Sequence, residues 1–361
     1  MLGSQDKQVP DPFEGRNWRR NLTVAAVVLL CALTLAACGG SSGTSAGGKA
    51  TTSSGLTPVK MLIPANAPNF SPVFVAQSAG IFKKHGLSVN VAALSSGSSA
   101  SAALLSGSAQ FDTGVASDVL LANSKGAHLL AIASVNNAIT LDIEVNKTWA
   151  SAHNITTSEP LSQRLRGLKG AKIGITAKGS ITDLALQHML STVGLKTGTD
   201  YDEVALGSEV ARLTALGHNE IQATMFDPAA AVLTSKRGVG LLAAKGTGFP
   251  MLAHSAFTQV FTTASYAKSN PKVVREVAAS IAEANNLIDN NPGRALPYLE
   301  AKFKTYKSVL PAVLPQYAFT KDARMSAASW NTMAHVLATG GKLSPQGVAK
   351  AKTDFTDSYL P

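Results

Sequence analysis

Short apolar runs alternate with helix-like patterns along most of this chain. The run VKMLI at residues 59–63 is typical of a buried strand, and residues 71–84 carry the apolar spacing of a helix. Further strands are predicted at residues 87–94, 111–116, 129–135, 172–176, 204–206, 221–226 and 241–244. Strands that alternate with helices favour an α/β fold with mostly parallel sheets and helices on both faces.

The predicted strands fall into two series that resemble each other. Each series runs through a helix, a Gly-Leu turn, a strand, a Gly-Ser pair, a second helix, a glycine and an apolar strand. A shift of 110 residues brings Gly97 onto Gly207 and Asp112 onto Gln222. The shared order predicts two domains of like topology.

After the second series the chain returns to one more strand and then to helices. The strand is predicted at residues 260–264, and the helices at 271–290, 293–304 and 323–338. We expect the first series and this C-terminal part to form one domain, with the second series inserted into it.

Two crossing segments then join the domains, near residues 141–145 and 260–264. Two connections between two domains predict a hinge with a cleft beside it. The predicted boundaries are 57–145 and 257–361 for the first, discontinuous domain and 146–256 for the second.

The charge and the cysteine content exclude some classes of function but do not identify the function. The formal net charge is +10, but Lys and Arg are dispersed, so an anionic ligand or cell surface fits better than nucleic acid. The two cysteines, Cys31 and Cys38, both lie near the N-terminus, which leaves the body no thiol for a disulfide or a metal cluster. We expect no cofactor.

Motifs of the common enzyme classes are missing from the sequence. It has no Gly-x-Ser-x-Gly, His-Glu-x-x-His or GxxxxGK[ST] pattern, and its histidines are scattered. The carboxylates Asp142 and Glu144 share one strand face but lie in a predicted crossing segment. We therefore expect a binding protein and not an enzyme.

The N-terminus has the pattern of an export signal. A basic segment around Arg19 precedes an apolar run at residues 22–35, which is too short to span a membrane as a stable helix. Two alanines then come directly before Cys38. The pattern predicts a signal peptide over residues 1–37.

The sequence Leu-Ala-Ala-Cys that ends at Cys38 resembles the lipobox of bacterial lipoproteins. The resemblance implies cleavage before Cys38 and a lipid anchor on its thiol; the alternative is an ordinary signal with an incidental cysteine. The segment 38–56 is rich in Gly, Ser and Thr, and predicts a flexible tether. Export by the Sec or the twin-arginine route stays open.

Four stretches of the body resemble the substrate-binding lipoproteins of ABC importers for nitrate, sulfonate and taurine, a family with relatives that bind thiamine-pyrimidine precursors. They are SPVFVAQSAGIFKKHGLSVN at 71–90, ALLSGSAQFDTGV at 103–115, LRGLKGAKIGITAKGSITD at 165–183 and YAKSNPKVVREVAASIAEANNLIDNNPGRA at 266–295. The resemblance implies a two-domain periplasmic-binding-protein-like fold. The sequence differs from the family pattern at Gln222, where the family usually has Asp, and in the segment 218–220, which is more polar than expected.

Ligands of open α/β sheets bind beyond the carboxyl ends of the strands, which selects loops in each domain. In the first domain, Asn66, Asn69 and Phe70 follow the first strand and offer two amides and a ring. Gly97 and Ser98 open a helix whose free N–H groups favour an anion. A rigid turn and serine N-capping are the alternatives.

One more residue of the first domain is a candidate. Ser117 ends the third strand, and it is predicted either to cap the next helix or to contact the ligand.

The second domain supplies seven further candidates. Gly179 and Ser180 follow a strand and begin a helix, and Asp183 makes a Ser-x-x-Asp capping-box pattern with Ser180. Asp227 is expected to cap a helix more than to bind an amine. The full set in this domain is Lys178, Gly179, Ser180, Thr182, Ser208, Phe226 and Asp227.

The resemblance implies a binding protein that captures a small solute outside the cytoplasm and delivers it to an ABC permease. Hydroxyls and helix N-termini suit an oxyanion of the sulfonate, taurine or nitrate type, whereas a flat heteroaromatic needs stacking rings that the loops largely lack. We expect a membrane-anchored monomer. A heteroaromatic-precursor binder and a surface-anchored ligand sensor remain alternatives.

Overall fold

The computed structural model describes residues 55–94 and 97–361. The predicted signal peptide, Cys38 and nearly all of the predicted tether lie outside the described residues, as does the side chain of Ser98. None of the helices within the described ranges is long and apolar enough to cross a membrane.

Ten strands form in the described part of the chain. They are β1 Thr57–Ile63, β2 Leu87–Ala93, β3 Phe111–Val115, β4 Leu129–Ser134, β5 Asp142–Asn146, β6 Lys172–Ile175, β7 Asp202–Ala205, β8 Ala223–Phe226, β9 Gly240–Lys245 and β10 Thr258–Thr263. Every strand predicted from the apolar pattern is present within a few residues of its predicted bounds.

The same residues form sixteen α-helices. They are α1 Ser71–Ser78, α2 Ile81–Lys84, α3 Gly97–Leu105, α4 Ala116–Ser124, α5 Lys147–Ala152, α6 Leu161–Arg166, α7 Ile181–Ser191, α8 Glu209–Gly217, α9 Pro228–Lys236, α10 Pro250–Ala253, α11 Ala264–Ser269, α12 Pro271–Asn290, α13 Pro292–Lys302, α14 Leu310–Val313, α15 Ala327–Thr339 and α16 Pro345–Lys350.

Two five-stranded sheets carry these strands. Sheet 1 has the order β2-β1-β3-β10-β4, and sheet 2 has the order β7-β6-β8-β5-β9. In each sheet the fourth strand, β10 or β5, runs antiparallel to its neighbours, whereas the other described pairs are parallel. The predicted α/β class with mostly parallel sheets is therefore confirmed.

Strand pairing corrects the predicted 110-residue repeat. β1 and β3 pair Leu62 with Asp112, and β6 and β8 pair Gly174 with Thr224. The strands therefore repeat at 112 residues, and the counterpart of Gln222 is Gln110 instead of Asp112. The glycines at the 110-residue spacing do not occupy equivalent places, because α3 begins at Gly97 and α8 at Glu209, and Asn219, with φ of 60°, matches Gly107, with φ of 76°.

The predicted crossing segments are strands. β5 and β10 each enter a sheet directly after the chain has passed from one sheet to the other, so the connections are residues 135–141 and 246–257. Both strands break register against their outer neighbour at matching places, between Ile143 and Glu144 and between Val260 and Phe261. The repeat therefore extends to the bulge.

Two predicted helices differ in extent. The predicted helix 71–84 is two helices because Gly80 has φ of 74°, a left-handed conformation that glycine adopts without strain. The predicted helix 323–338 begins at Ala327, since Ala323 has φ of 58° and Ser326 caps the helix by accepting from the Ser329 N–H.

Helices cover both faces of sheet 1. Met61 and Ile63 pack with residues of α1 and α12, whereas Leu62 on the opposite face packs with Ala100 of α3. Alternate residues of β1 are thus buried on both sides, which explains its continuous apolar sequence.

The residues after α12, 291–361, are called here the C-terminal segment. This segment contacts helices that follow strands of both sheets. α14 packs on α9, whereas α15 packs on α4 and α7. Trp330 in α15 and Tyr317 in the 3₁₀ turn Leu314–Tyr317 are fully buried. The predicted boundary between two domains stays a prediction.

Candidate functional site

The loop between β6 and α7 was the leading prediction for ligand contact, and its hydroxyls bond to one another. Thr182 Oγ1 accepts from the Thr176 N–H at 2.9 Å, and Ser180 Oγ lies 2.8 Å from Thr182 Oγ1. Ser180 holds the N-cap position of α7 but its side chain makes no capping bond. The predicted capping box does not form.

Lys178 and Gly179 in this loop are tied to acidic side chains. The ammonium of Lys178 makes an ion pair with Glu203 of β7. The Gly179 N–H donates to Asp183 at 2.5 Å, and Gly179 has φ of 78°. The left-handed turn at Gly179 thus directs its N–H toward Asp183.

Arg212 of α8 contacts the ends of three strands, although it was not among the predicted contact residues. Its Nη1 donates to Thr176 Oγ1 at 3.0 Å and to the Gly207 carbonyl at 2.6 Å. Its guanidinium carbon lies 5.9 Å from the ring centre of Phe226. Arg212 is buried, and its Nε has no hydrogen-bond partner among the described residues.

Ser208 and Asp227 cap the helices that follow β7 and β8. Ser208 Oγ accepts from the Ala211 N–H at 3.2 Å. Asp227 Oδ1 accepts from the N–H groups of Ala229 and Ala230, both at 3.0 Å, whereas its buried Oδ2 has no partner in the described structure. Burial, and then the charge of Glu209, raise the pKa of Asp227 well above its usual range.

Two tyrosines of the C-terminal segment reach this edge of sheet 2. The Tyr306 hydroxyl bonds to Glu209 at the start of α8. The Tyr317 hydroxyl accepts from the Ala229 N–H at 3.3 Å. Burial raises the pKa of Glu209, against the opposing effects of the Tyr306 hydrogen bond and the Arg212 charge. The C-terminal segment therefore covers the starts of α8 and α9.

The predicted residues of sheet 1 have different environments. Asn66 is exposed, Asn69 is half-buried, and the ring of Phe70 is buried in the core with α1. Ser117 is buried at the start of α4. Within the described residues, no hydrogen bond joins these side chains to the predicted loops of sheet 2.

Gly97 lies close to a carboxylate. A Cβ atom at Gly97 would stand 2.2 Å from Asp118 Oδ2, so only glycine fits at this start of α3. Burial raises the pKa of Asp118 to about 6. Burial, and then the charge of Asp118, raise the pKa of Asp112 well above its usual range.

A polar cavity of about 130 Å³ lies where β5 begins and β9 ends, at the carboxyl edge of sheet 2. Gln316 of the C-terminal segment closes one side, and the other lining residues come from the start of β5, the end of β9, the residues next to them and the start of α9. Its lining residues are Thr140, Asp142, Pro228, Lys245, Thr247 and Gln316.

The cavity combines a cation, a carboxylate and uncharged donors. Asp142 is 4% exposed and its Oδ1 accepts from the Gly246 N–H at 3.2 Å. Burial raises the pKa of Asp142 to about 7, although the Gly246 N–H and Lys245 both lower it. The exposed Lys245 donates to Gln316 Oε1 at 3.3 Å. The buried hydroxyl of Thr140 has no partner in the described part of the chain.

None of the thirteen predicted contact residues lines this cavity, although Pro228 directly follows Asp227. Asp142 was visible in the sequence as one of a carboxylate pair, but Lys245 and Gln316 carry no local signal. They meet only because β9 ends beside β5 and the C-terminal segment folds back.

A second cavity, of about 270 Å³, lies at the amino edge of sheet 1. It is bordered by the end of α4, the start of β4 and α16. Asp354 in its wall accepts from Asn123 Nδ2 at 2.9 Å, and burial raises the pKa of Asp354 to about 6. No group of three or more His, Cys, Asp or Glu residues in the described ranges could hold a metal ion.

Solved structures with the same fold are numerous. The alkanesulfonate-binding protein SsuA from Xanthomonas axonopodis pv. citri, bound to MOPS, is 18% identical, with a TM-score of 0.65 over 81% of this chain and 97% of that chain. The periplasmic nitrate-binding protein NrtA from Synechocystis PCC 6803 is 15% identical, with a TM-score of 0.65 over 84% of this chain and 87% of that chain.

A Candida albicans protein with the generic periplasmic binding protein fold is 14% identical, with a TM-score of 0.64 over 85% of this chain and 98% of that chain. These likenesses confirm the predicted periplasmic-binding-protein-like fold. Among curated protein sequences, none matches the chain. The model of the NMT1-like family matches residues 66–296, and the chain therefore belongs to the NMT1-like family.

Proposed function

We propose that this protein is the solute-binding component of an ABC importer, and that it captures a small anionic solute and delivers it to a membrane permease. The family and the fold support a binding protein, and the structural neighbours named for sulfonate and nitrate binding support an anion. No step in this function breaks a covalent bond in the chain.

The cavity beside Lys245 is the observation that carries the proposal. It offers an ammonium, the hydroxyls of Thr140 and Thr247 and the amide of Gln316, which are groups that donate hydrogen bonds to an oxyanion. The Thr140 hydroxyl is buried without a partner, and a buried hydroxyl without a hydrogen bond is costly. A bound oxyanion would accept that bond.

The size and chemistry of the cavity favour a small solute over a heteroaromatic one. A volume of about 130 Å³ is smaller than the roughly 300–1,000 Å³ of pockets for drug-sized ligands, which limits the solute to a small molecule. Its wall contains no aromatic ring, whereas a flat heterocycle binds best between stacked rings. A sulfonate, taurine or nitrate type of solute fits these limits.

The cavity also links binding to closure. Gln316 belongs to the C-terminal segment, and the rest of the wall belongs to sheet 2 and the residues that flank it. If the two sheets move apart about residues 135–141 and 246–257, a solute that contacts both sides favours the closed form by the affinity it gains there. The closed form would then dock on the permease.

The N-terminal sequence supports an extracytoplasmic location. The predicted signal peptide over residues 1–37, lipidation of Cys38 and the tether 38–56 would hold the folded body at the outer face of the membrane as a monomer. Treating living cells with labelled fatty acid tests this proposal: label is expected in the native chain and not in a Cys38→Ala variant.

Thermal unfolding of residues 39–361 against a panel of solutes tests the function. The panel holds taurine, alkanesulfonates, nitrate, bicarbonate, pyrimidines and riboflavin. A ligand at 100 times its dissociation constant adds about 2.7 kcal/mol, which raises Tm by several degrees. A rise with an anion supports the proposal, a rise with a pyrimidine alone replaces the solute, and no rise with any compound contradicts the function.

Two variants then locate the solute. Lys245→Gln removes the cation of the cavity and is expected to weaken binding at least tenfold, whereas Ser180→Ala tests the loop after β6. If only Ser180→Ala weakens binding, the solute lies at the predicted loop and not in the cavity.

A further inference from the structure

The repeat gives the cavity a counterpart in sheet 1. The strand pairing that matches Ile143 with Val260 also matches the pair Asp142–Lys245 with the pair Gln259–Ser134. The two pairs occupy the same place in the two sheets, where the antiparallel strand begins beside the end of the outermost strand.

In sheet 1 this place is sealed. Gln259 and Ser134 are fully buried, and Gln259 Nε2 donates to the Asn136 carbonyl at 3.1 Å. Its contact with Ser134 Oγ, at 3.4 Å, completes an uncharged network inside the fold. The backbone arrangement by itself therefore requires neither charge nor open space.

In sheet 2 the same place carries two opposite charges beside an open cavity. Asp142 and Lys245 both line it, and the nearby charge of Lys245 acts on the Asp142 carboxylate. The hydrogen bond that Lys245 makes, at 3.3 Å, goes to the neutral amide of Gln316. Both charged groups are thus open to a third molecule in the cavity.

We propose that the solute is a small zwitterion, whose protonated nitrogen binds Asp142 and whose anionic group binds Lys245. This inference rests on the proposed function and narrows its solute class. A simple anion would bind Lys245 but would be repelled by the carboxylate of Asp142. A simple cation would bind Asp142 but would be repelled by the ammonium of Lys245. A molecule with both charges satisfies both walls of a cavity this small.

The burial of Asp142 supports the assignment. Removal from water disfavours the ionised carboxylate and raises the pKa of Asp142 to about 7. A bound ammonium group would restore the favourable environment that burial removes. The gain is available to an amine-bearing solute and not to its analogue without nitrogen.

Matched pairs of compounds test the inference by isothermal titration calorimetry on residues 39–361. Taurine is compared with ethanesulfonate, and β-alanine with propionate; each pair differs by the amine. We expect at least one zwitterion to bind ten or more times as tightly as its partner. Equal binding within both pairs overturns the zwitterion but leaves the proposed function, whereas a lack of binding by these and every other anion tested overturns both.

Variants that borrow residues from sheet 1 give the second test. Asp142→Asn is expected to remove the advantage of the zwitterion over its amine-free analogue, by weakening binding of the zwitterion and by strengthening binding of the analogue, which no longer lies against a carboxylate. The double variant Asp142→Gln with Lys245→Ser, which copies the sheet 1 pair, is expected to abolish binding of both. Lys321→Gln, at an exposed ion pair with Asp289, serves as the control. Unchanged zwitterion affinity in Asp142→Asn contradicts the proposal, and if the variants do not fold the compound pairs still decide it.

Discussion

Sheets 1 and 2 have the same strand order, the same antiparallel fourth strand and the same bulge, but they place buried carboxylates on opposite strands. In sheet 1 the pair across β3 and β10 is Asp112 and Phe261; in sheet 2 the corresponding pair across β8 and β5 is Thr224 and Glu144. Each sheet therefore has one acid at this place, carried by a different strand.

The two acids differ in how they are satisfied. Glu144 Oε2 accepts from Thr234 Oγ1 at 3.1 Å, whereas neither oxygen of Asp112 has a hydrogen-bond partner in the described structure. Thr224, at the place that corresponds to Asp112, donates to the Gly174 carbonyl at 2.9 Å. The two sheets thus share a backbone topology, but the hydrogen bonding of their buried polar side chains differs.

The largest expected effect tests the apolar side of this comparison. Leu62 of β1 is buried, and its counterpart in β6 is Gly174. Leu62→Ala leaves a cavity and is expected to cost about 2–5 kcal/mol in the free energy of unfolding. Urea denaturation measures it, with the partly exposed Leu105→Ala as control.

The reverse change at the counterpart is expected to cost less. A Cβ atom at Gly174 would stand 2.7 Å from the flexible end of Ile221 and 2.9 Å from Thr224 Oγ1. Gly174→Ala is therefore expected to cost about 1–3 kcal/mol through overpacking. Urea denaturation measures this cost, and a Gly174→Ala variant at least as stable as the native chain contradicts the expected overpacking.

The pH dependence of stability is expected to distinguish the two buried acids, Glu144 and Asp112, from surface carboxylates. Burial raises the pKa of Glu144 to about 8, and the neighbouring charge of Asp142 adds to this against the Thr234 hydrogen bond. Between the unfolded pKa, about 4.3, and pH 8 the native state holds a proton that the unfolded state has lost. Stability from this group therefore falls as pH rises through that window, by at most about 1.4 kcal/mol per pH unit.

Glu144→Gln is expected to flatten this fall, since glutamine does not titrate. Asp112→Asn should do the same in sheet 1, because burial raises the pKa of Asp112 as well. Tm measured from pH 5 to 8 provides the test, with the exposed Glu220→Gln as control. A slope in Glu144→Gln equal to that of the native chain contradicts the assigned protonation.

The smallest expected effect concerns a hydrogen bond from a strand N–H to a glutamine side chain, which is present in both sheets. Gln110 Oε1 accepts from the Lys60 N–H, and Gln222 Oε1 accepts from the Lys172 N–H, each at 2.9 Å. Gln110→Ala and Gln222→Ala are each expected to cost about 0.5–1.5 kcal/mol, the usual net value of one hydrogen bond. Chemical denaturation should give similar costs for the two, and a large difference would break the equivalence of the halves.

Local patterns account for most of what was predicted correctly. Continuous apolar runs such as 59–63 and 111–116 marked the strands because parallel strands are buried on both faces. The repeat was visible through its glycines, but its offset was wrong by two residues because the counterpart of Gly107, with φ of 76°, is Asn219, with φ of 60°, and not a glycine. Strand pairing was needed to assign Gln110 to Gln222.

The candidate site was predicted less well. Ser180, Ser208 and Asp227 were selected as residues at helix starts, where such residues are common whether or not they bind a ligand; Ser208 and Asp227 cap their helices, and Ser180 does not. Arg212 was missed because a single arginine in an amphipathic helix is normally a surface residue. Its hydrogen bonds go to the Gly207 carbonyl, five residues before it, and to Thr176, 36 residues before it, which only the pairing of β6 with β7 brings close.

The sequence by itself determined the fold class, the order of strands and helices, and the family to which the chain belongs, because periodicity and glycine placement are local properties. Only the tertiary structure decided that Asp142, Lys245 and Gln316 border one cavity while Gln259 and Ser134 are sealed. The physical reason is that hydrogen bonding between strands and burial of the C-terminal segment bring together residues more than seventy positions apart, and no local pattern records which of them will meet.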